Sequence, residues 1–302
     1  MNTEKELTYG IMMKKLMEIA QRSEIVRLSY IGNTINSRPI PLITMGEQSA
    51  EKSVLYVATH HATESICTSV LIKFIEEYEK AYERQEKACG ISIRVLNKMR
   101  KIYIVPMLNP DGVEYRTNGI DELNPLYERV MKMSNGGDFE GWNANARGVD
   151  LNHNYDARFW EYKQIENEQK ITQGPTKYSG ESPESEPEVS ALASFIRYNS
   201  DELQGIITLH TQGEEIYYKS NGKCLKRSEY LIRMLAKMTS YKPSDTQGTA
   251  SYGGLSDWYI KEFDKPSFTF ECGKGKNPLP VSQIPRIYMS VREALFTFPI
   301  LF

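Results

Sequence analysis

Six short apolar runs, nearly unbroken by polar residues, are the strongest constraint on the fold. Each run is rich in β-branched and aromatic side chains, which favour strands. A strand with one solvated face alternates apolar and polar residues, whereas a nearly continuous run predicts a strand buried on both faces of its sheet. The six predicted strands are residues 25–30, 40–44, 54–58, 102–105, 206–209 and 268–270.

Segments between these strands carry apolar residues three and four positions apart. This spacing places apolar side chains on one face of a helix, and it is clearest around Phe74, Leu192 and Leu235. Strands and helices therefore alternate through most of the chain. The sequence predicts an α/β fold in a single domain, residues 1–302, with a mixed, mostly parallel sheet and helices on both faces.

Two long segments show little periodicity. Residues 109–147 contain one possible helix, near 126–133, and residues 174–188 are rich in turn-forming residues. Long ordered loops in compact domains usually carry function, so the first segment is expected to do so. The second is expected to be a surface loop that leads into a helix near Ser185, where an N-cap candidate precedes a proline and acidic residues.

The charge balance argues against nucleic acid or a membrane as the partner. Lys plus Arg number 37 and Asp plus Glu number 39, for a net charge of -2. This composition provides no basic footprint for nucleic acid and no attraction to anionic lipid. No apolar stretch approaches the roughly 18 residues of a membrane helix. The expected partner is a small molecule or a peptide.

The cysteines and the start of the chain predict a cytoplasmic protein. The four cysteines are widely separated and form no Cys-x-x-Cys pair, as expected for reduced thiols. Residues 1–24 read as a charged amphipathic helix, not as a secretion signal or an anchor.

Three of the four histidines follow predicted strands. His60 and His61 come shortly after strand 54–58, and His210 follows strand 206–209. In open α/β sheets, ligands bind outside the carboxyl ends of the strands. Two strands that run into histidines can therefore aim them at one crevice.

His61 and Glu64 are three residues apart and share one face of a first helical turn. Together with His210 from a neighbouring strand, they would form a zinc site with water as the fourth ligand. Imidazole and carboxylate together suit zinc, whereas calcium and magnesium prefer oxygen ligands alone. A His-x-x-Glu pattern is short and frequent, so the residues alone leave open histidines that are merely hydrogen-bonded at strand ends.

Glu271 ends the predicted strand 268–270 and would reach the same edge of the sheet. A carboxylate beside a zinc-bound water can act as a general base and then return the proton to the leaving amine. The alternative is a structural role, as a helix cap or an ion-pair partner.

Seven motifs follow one another across most of the chain. They are residues 61–64 (His-Ala-Thr-Glu), 109–112 (Asn-Pro-Asp-Gly), 148–154 (Gly-Val-Asp-Leu-Asn-His-Asn), 185–188 (Ser-Glu-Pro-Glu), His210, Gly253-Gly254 with Asp257-Trp258, and Phe270-Glu271. In this order they resemble the motifs of the zinc carboxypeptidase family, of the carboxypeptidase A type. Because the run is long and ordered, the resemblance is specific.

The resemblance implies a zinc carboxypeptidase-like fold and one zinc ion. The implied ligands are His61, Glu64 and His210. The resemblance also implies that Glu271 is the catalytic base and that Asp150 orients His61 through the ring nitrogen that does not bind zinc. His60 is a local alternative to His61, because it stands four residues before Glu64, but the spacing of the family favours His61.

Two positions depart from the digestive carboxypeptidases. An Asn-Arg pair in those enzymes, whose arginine clamps the terminal carboxylate of the substrate, is Asn152-His153 here. Histidine cannot make the same two-pronged contact, which disfavours ordinary C-terminal trimming. The arginine that stabilises the oxyanion follows a tryptophan in those enzymes. Here Asn143 follows Trp142, and Arg147 is the nearest substitute.

These departures are similar to those of the bacterial γ-D-glutamyl-meso-diaminopimelate peptidases. That branch shares the segments Leu-Asn-His-Asn, His-Thr-Gln-Gly-Glu-Glu and Glu-x-Gly-Lys-Gly-x-Asn-Pro, which this chain has at 151–154, 210–215 and 271–278. The resemblance implies zinc-dependent cleavage of the γ-D-glutamyl-meso-diaminopimelate bond in peptidoglycan stem peptides. It also implies a cytoplasmic form that acts on imported wall fragments or precursors.

The resemblance extends to substrate contacts. Asn152 and His153 would receive a carboxylate of the diaminopimelyl residue, Tyr252 would close over the substrate, and Arg147 would stabilise the oxyanion. Three other functions stay open. They are a general metallocarboxypeptidase that removes C-terminal residues, an N-acyl amino-acid deacylase, and a peptide binder without catalysis.

Overall fold

A computed structural model describes residues 6–246, 248–250 and 252–302. Its centre is an eight-stranded sheet, and two further strands form a separate hairpin. The strands are β1 (Val26–Asn33), β2 (Pro39–Met45), β3 (Lys52–Ala58), β4 (Lys87–Ala88), β5 (Ile91–Ser92), β6 (Arg100–Val105), β7 (Leu203–His210), β8 (Glu215–Tyr217), β9 (Lys242–Ser244) and β10 (Ser267–Glu271).

The strand order across the large sheet is β1-β2-β6-β3-β7-β10-β8-β9. The central strands β6, β3, β7 and β10 are parallel to one another, whereas β2 and β8 flank them in antiparallel orientation. The sheet is therefore mixed and mostly parallel, which confirms the prediction. All six predicted strands are present. The sequence missed β4, β5, β8 and β9, because two or three residues are too few to show a period.

Ten α-helices lie within the described residues. They are α1 (Tyr9–Arg22), α2 (Ile66–Glu83), α3 (Ile93–Met99), α4 (Pro110–Asn118), α5 (Tyr127–Met133), α6 (Phe159–Gln169), α7 (Pro187–Tyr198), α8 (Lys226–Thr239), α9 (Leu255–Phe263) and α10 (Ile284–Thr297). None of them combines the length and the apolar content that a membrane span requires.

The two hydrophobic clusters of the core lie on opposite faces of the sheet. Val54 and Tyr56 of β3 belong to the cluster that includes α2, α8 and α10, whereas Leu55 and Val57 belong to the one that includes α7 and α9. Successive side chains of a strand point to opposite faces. Helices therefore cover both faces, as predicted, and the central strands are buried on both sides.

The long segment 109–147 contains more helix than the sequence indicated. The predicted helix near 126–133 is α5, but α4 also lies in this segment and shows no clear apolar period. Asn109 caps α4 by accepting a hydrogen bond from the backbone N–H of Gly112, and Pro110 occupies the first turn. An asparagine followed by proline is a helix-start signal that could have revealed α4.

Two other predicted helices differ slightly from those observed. The helix expected near Ser185 begins at Pro187, because the Ser185 hydroxyl accepts a hydrogen bond from the side chain of Asn154 and does not cap the helix. The helix predicted over residues 1–24 corresponds to α1, and residues 1–5 lie outside the described part of the chain.

Gly253 allows two loops to meet at the edge of the sheet. Its φ is +72°, and a Cβ atom there would stand 2.2 Å from the carbonyl oxygen of His153. Its N–H donates to the carbonyl of Ala157, and its own carbonyl accepts from the N–H of Tyr155. This close approach is possible only without a side chain.

We expect Gly253→Ala to destabilise the protein more than Gly222→Ala does. Gly222 also has a positive φ, +75°, but a Cβ there meets no atom within 4 Å. The left-handed backbone costs alanine about 1 to 2 kcal/mol at either site, and the collision adds about 1 to 3 kcal/mol at Gly253. Chemical denaturation measures both losses. Equal losses would show that the approach of the loops does not depend on this glycine.

Candidate metal and catalytic site

Three parallel strands end at the edge of the sheet where the candidate residues collect. His210 is the last residue of β7 and Glu271 is the last residue of β10, and the two are paired directly in the register. After β3, the chain turns at Thr59, whose φ is 57°, and enters a short 3-10 turn, Ala62–Glu64. The turn therefore lies at the same edge as the ends of β7 and β10.

His61, Glu64 and His210 converge on one point, as predicted. Nδ1 of His61 lies 3.0 Å from Oε1 of Glu64, and Nδ1 of His210 lies 2.9 Å from Oε2. One ligand atom from each of the three side chains lies within 4.8 Å of the others. The arrangement matches a group of three ligands to a single ion.

The chemistry of these donors fits zinc. Two imidazole nitrogens and one carboxylate form the His₂Glu set of catalytic zinc sites, which leave the fourth position to water. Burial raises the pKa of Glu64, but the neighbouring His61 and His210 outweigh it and lower the pKa to about 2. The carboxylate is therefore ionised, as a metal ligand must be.

Asp150 holds the other side of the His61 ring. Nε2 of His61 lies 3.1 Å from Oδ1 of Asp150. The backbone N–H groups of Asn152 and Lys177 donate to the same carboxylate. Burial raises the pKa of Asp150, but His61 outweighs it and holds the pKa below its usual value. A ring that donates Nε2–H to a carboxylate presents the lone pair of Nδ1 to a metal.

His60, the alternative ligand, faces away from this point. Its Nε2 lies 3.1 Å from the hydroxyl of Tyr155, and both side chains are fully buried. Its ring stacks on that of His210 with the centroids 5.3 Å apart. Neighbouring side chains of an extended segment point in opposite directions, so His60 and His61 do not reach the same metal.

Glu271 lies between His210 and Glu215 in the sheet. It pairs with His210 of β7 on one side and with Glu215 of β8 on the other, and paired residues project to the same face. Burial raises the pKa of Glu271 to about 7, while His210 lowers it and Glu64 raises it further. A carboxyl group with a pKa near neutrality can accept and return a proton at physiological pH.

A small pocket of about 50 Å³ opens beside Glu271 and is called the Glu271 pocket below. Its walls include Asn152, Tyr217, Lys219, Ser256, Asp257 and Glu271. Oδ1 of Asn152 accepts a hydrogen bond from the backbone N–H of Leu255, which orients the amide group from the start of α9. Of the three residues predicted to bind substrate, Asn152 is thus the one that lines this pocket.

His153 and Tyr252 contact each other next to this pocket. Nδ1 of His153 lies 2.6 Å from the carbonyl oxygen of Tyr252, and the imidazole ring stacks on Tyr162 with the centroids 4.2 Å apart. The hydroxyl of Tyr252 accepts a hydrogen bond from Arg158, whose guanidinium also lies over the tyrosine ring. Both residues are therefore held by protein groups, and their substrate contacts stay predictions.

Arg147 contacts neighbours outside the metal-ligand group. Its Nε donates to Oε2 of Glu186 and its Nη2 donates to the carbonyl of Ser185, each at 3.0 Å. The Glu186 carboxylate is buried, and a guanidinium next to it forms a strong charge-assisted hydrogen bond. The oxyanion role of Arg147 stays a prediction.

Asn143 is one of the polar residues that lie against the metal-binding turn, and none of the sequence motifs gives it a role. Its carbonyl accepts a hydrogen bond from the N–H of Ala62 at 3.1 Å, and its Oδ1 accepts one from the hydroxyl of Thr63. The available signal was its position after Trp142, where the digestive enzymes have arginine.

Most of the chain matches the sequence pattern of one protein family. The family pattern described as zinc carboxypeptidase matches residues 12–294. The chain belongs to the zinc carboxypeptidase family. This zinc metallopeptidase is 34% identical to γ-D-glutamyl-L-diamino acid endopeptidase 1 of Lysinibacillus sphaericus over 298 residues. The matched region covers 98% of this chain and 72% of that protein. It is 26% identical over 277 residues to human carboxypeptidase B, covering 86% of this chain and 61% of that protein.

Solved structures share the fold of this zinc carboxypeptidase. Bovine thrombin-activatable fibrinolysis inhibitor, in complex with tick carboxypeptidase inhibitor, has a TM-score of 0.73 at 21% identity, covering 99% of this chain and 96% of that one. Murein-tripeptide amidase MpaA from Escherichia coli O157 has a TM-score of 0.54 at 18% identity, covering 90% of this chain and 96% of that one. At these identities the likeness shows the fold alone.

We expect the protein to bind one zinc ion per chain, and we expect His61→Gln to lose it while His60→Gln keeps it. The reason is that Nδ1 of His61 faces Glu64, whereas His60 faces Tyr155. Metal content after dialysis measures the difference, and chelation of the zinc should lower the Tm of the wild type. Retention of zinc by His61→Gln together with its loss from His60→Gln would reverse the ligand assignment.

Proposed function

We propose that this zinc carboxypeptidase hydrolyses the bond between γ-linked D-glutamate and meso-diaminopimelate in peptidoglycan stem peptides. The observation that carries the proposal is the 34% identity to a γ-D-glutamyl-L-diamino acid endopeptidase over 98% of this chain. Further support comes from the segments 210–215 and 271–278, which are typical of the diaminopimelate branch and begin at the ends of β7 and β10.

In the proposed reaction, the metal and Glu271 have separate tasks. When bound, zinc supplies Lewis acidity, which polarises the scissile carbonyl and acidifies a water molecule. Glu271 accepts a proton from that water and delivers it to the leaving amine. Burial at the end of β10 raises the pKa of Glu271 above its usual value, which makes its carboxylate a better proton acceptor.

Asn152 and His153 are proposed to bind a carboxylate of the leaving residue. Asn152 supports this role by lining the Glu271 pocket. His153 offers an imidazole in place of the guanidinium fork of the digestive enzymes, so it gives a weaker and less directional hold on a terminal carboxylate. Substrates whose recognition does not depend on that fork are therefore favoured.

Tyr252 and Arg147 are proposed to act only after each has left its present hydrogen-bonding neighbour. Tyr252 would close over the substrate once its hydroxyl leaves Arg158, and Arg147 would approach the oxyanion once it leaves Glu186. Asn143 needs no such change, because it already lies against the turn that carries Glu64. A fixed neutral amide can also stabilise a developing negative charge.

The proposal includes the organisation and location of the protein. Residues 1–302 would form a single zinc peptidase catalytic domain. It would act in the cytoplasm on imported wall fragments or precursors. This location is inferred from the four widely separated cysteines, which suit the reduced thiols of a cytoplasmic protein.

We expect the zinc-loaded wild type to release diaminopimelate from L-Ala-γ-D-Glu-meso-diaminopimelate, and Glu271→Gln to be slower by about 10²- to 10⁴-fold, the usual contribution of a general base. The amide keeps the size of the side chain but cannot accept the proton. Chromatography of the products measures the rates, and equal zinc content in the two proteins is the control. Cleavage of a hippuryl-type carboxypeptidase substrate alone would reject the cell-wall assignment and leave the zinc chemistry intact.

We expect His153→Arg to shift the preference of the enzyme toward the hippuryl-type substrate. An arginine at this position restores a guanidinium that can bind a terminal carboxylate through two parallel hydrogen bonds. The ratio of kcat/KM for the hippuryl and diaminopimelate substrates measures the shift. His153→Gln removes the imidazole without adding a charge and serves as the control. An unchanged ratio in His153→Arg would remove this residue from substrate recognition.

A further inference from the structure

The Glu271 pocket extends along the face of the sheet that carries the proposed base. Thr269 stands two residues before Glu271 on the same face, and it pairs with Thr208 on one side and Tyr217 on the other. Both Thr269 and Tyr217 line the pocket. The pocket therefore begins at the edge of the sheet where Glu271 lies. A group bound in it would lie next to the bond that Glu271 would help to break.

Hydroxyl groups form one wall of this pocket. The Thr269 hydroxyl lies 3.1 Å from that of Thr208 and 2.9 Å from that of Ser256. The Ser256 hydroxyl in turn receives a hydrogen bond from Ser267 at 3.0 Å. An apolar substrate group would displace water from these polar atoms without replacing its hydrogen bonds, which is unfavourable. The wall therefore suits a polar substrate group.

Another wall of the pocket carries both signs of charge. Lys219 is the one cationic side chain among the described residues that line the pocket. Asp257 is only 5% exposed, and its Oδ1 has no hydrogen-bond partner within the described parts of the chain. Ser220, the neighbour of Lys219, donates to the carbonyl oxygen of Asp257 at 3.5 Å. This contact joins the segment that carries the basic residue to the helix that carries the acidic one.

Among the described residues, no cationic side chain forms an ion pair with the carboxylate of Asp257. Burial raises the pKa of Asp257 to about 7, although Ser220 and Arg158 act to lower it. A buried carboxylate is stable in its charged form only when a cation or hydrogen-bond donors compensate the loss of water. A substrate ammonium group in the pocket beside Asp257 would supply that compensation.

Lys219 can exchange its present partner at little cost. Its Nζ lies 2.7 Å from Asp245, and the two side chains are 26% and 59% exposed. Ion pairs with this degree of exposure contribute little to stability, because water and salt screen them. A carboxylate that enters the pocket can therefore join or replace Asp245.

We propose that this wall binds the zwitterionic far end of the leaving diamino acid, with Lys219 on its second carboxylate and Asp257 on its second ammonium group. The inference rests on the proposed function and makes it more specific, because the similar endopeptidase is named for L-diamino acids in general. Lysine and diaminopimelate both offer the ammonium group, but only diaminopimelate offers the carboxylate. Lys219 is therefore the residue that selects diaminopimelate over lysine.

Two peptides that differ only in the leaving residue test this selection. They are L-Ala-γ-D-Glu-meso-diaminopimelate and L-Ala-γ-D-Glu-L-Lys. For the zinc-loaded wild type, we expect kcat/KM to be about 10- to 100-fold higher for the diaminopimelate peptide, the range of one charge-assisted hydrogen bond. Lys219→Met should abolish this ratio, and Lys219→Arg, which keeps the charge, should retain most of it.

Lys223→Met is the matched control for the loss of a lysine. Lys223 lies four residues farther along the chain, forms an exposed ion pair with Asp264 and does not line the Glu271 pocket. The ratio of kcat/KM for the two peptides should therefore be the same in Lys223→Met as in the wild type. A ratio that falls equally in Lys219→Met and Lys223→Met would overturn the inference.

Calorimetric titration of both peptides into zinc-loaded Glu271→Gln measures recognition separately from turnover. Tighter binding of the diaminopimelate peptide that is lost when Lys219→Met is added would support the inference, whether or not the wild type cleaves the peptides. If the wild type cleaved neither peptide but this binding difference remained, only the proposed function would be overturned. Cleavage of both peptides with equal kcat/KM, or a preference that survives Lys219→Met, would overturn the inference and leave the proposed reaction standing. Neither cleavage nor binding would overturn both.

Discussion

The parallel register of β3, β7 and β10 is the constraint on which the site depends. Backbone hydrogen bonds make Glu271 the direct neighbour of His210, and the pairing of β3 with β7 brings the turn that carries Glu64 to the same edge. A slip of one residue in either strand would turn its last side chain to the opposite face. Side chains of these strands are packed in the hydrophobic clusters on both faces, so a slip would force each of them into a site of different shape. In the observed register, the three ligands and the carboxylate of Glu271 share one edge.

Buried backbone contacts hold the loops at this edge. Nδ2 of Asn109 lies 3.0 Å from the carbonyl oxygen of His60 and 3.1 Å from those of Asn143 and Ala144, and its Oδ1 accepts from the N–H of Gly112. One buried asparagine thus joins the start of α4, the loop that carries the ligands, and a third segment. Carbonyl groups left unpaired at this depth would be costly. This explains why an Asn-Pro-Asp-Gly motif distant from the ligands in sequence belongs to the site.

The distribution of charge around the site differs from that of the digestive enzymes. The two positions where those enzymes have arginine are occupied by His153 and Asn143. Among the described residues that line the Glu271 pocket, the cation is Lys219, which comes from the segment after β8 and lines the pocket together with the buried Asp257. Recognition of the leaving residue can therefore depend on the far end of its side chain as well as on its terminal carboxylate. Under the proposed function, the same zinc chemistry would then serve a different substrate.

Local patterns in the sequence were enough to predict the α/β class and the six longer strands, because each depends on a period within a few residues. The metal ligands also required the resemblance to the zinc carboxypeptidase motifs, because His210 lies far along the chain from His61 and Glu64. The same patterns missed α4, β8 and β9, which are too short or too polar to show a period. Only the tertiary structure decided that His60 faces Tyr155 and that Lys219 lies in a pocket with Glu271. These neighbours come from distant parts of the chain, and the strand register and loop packing that bring them together leave no local signal in the sequence.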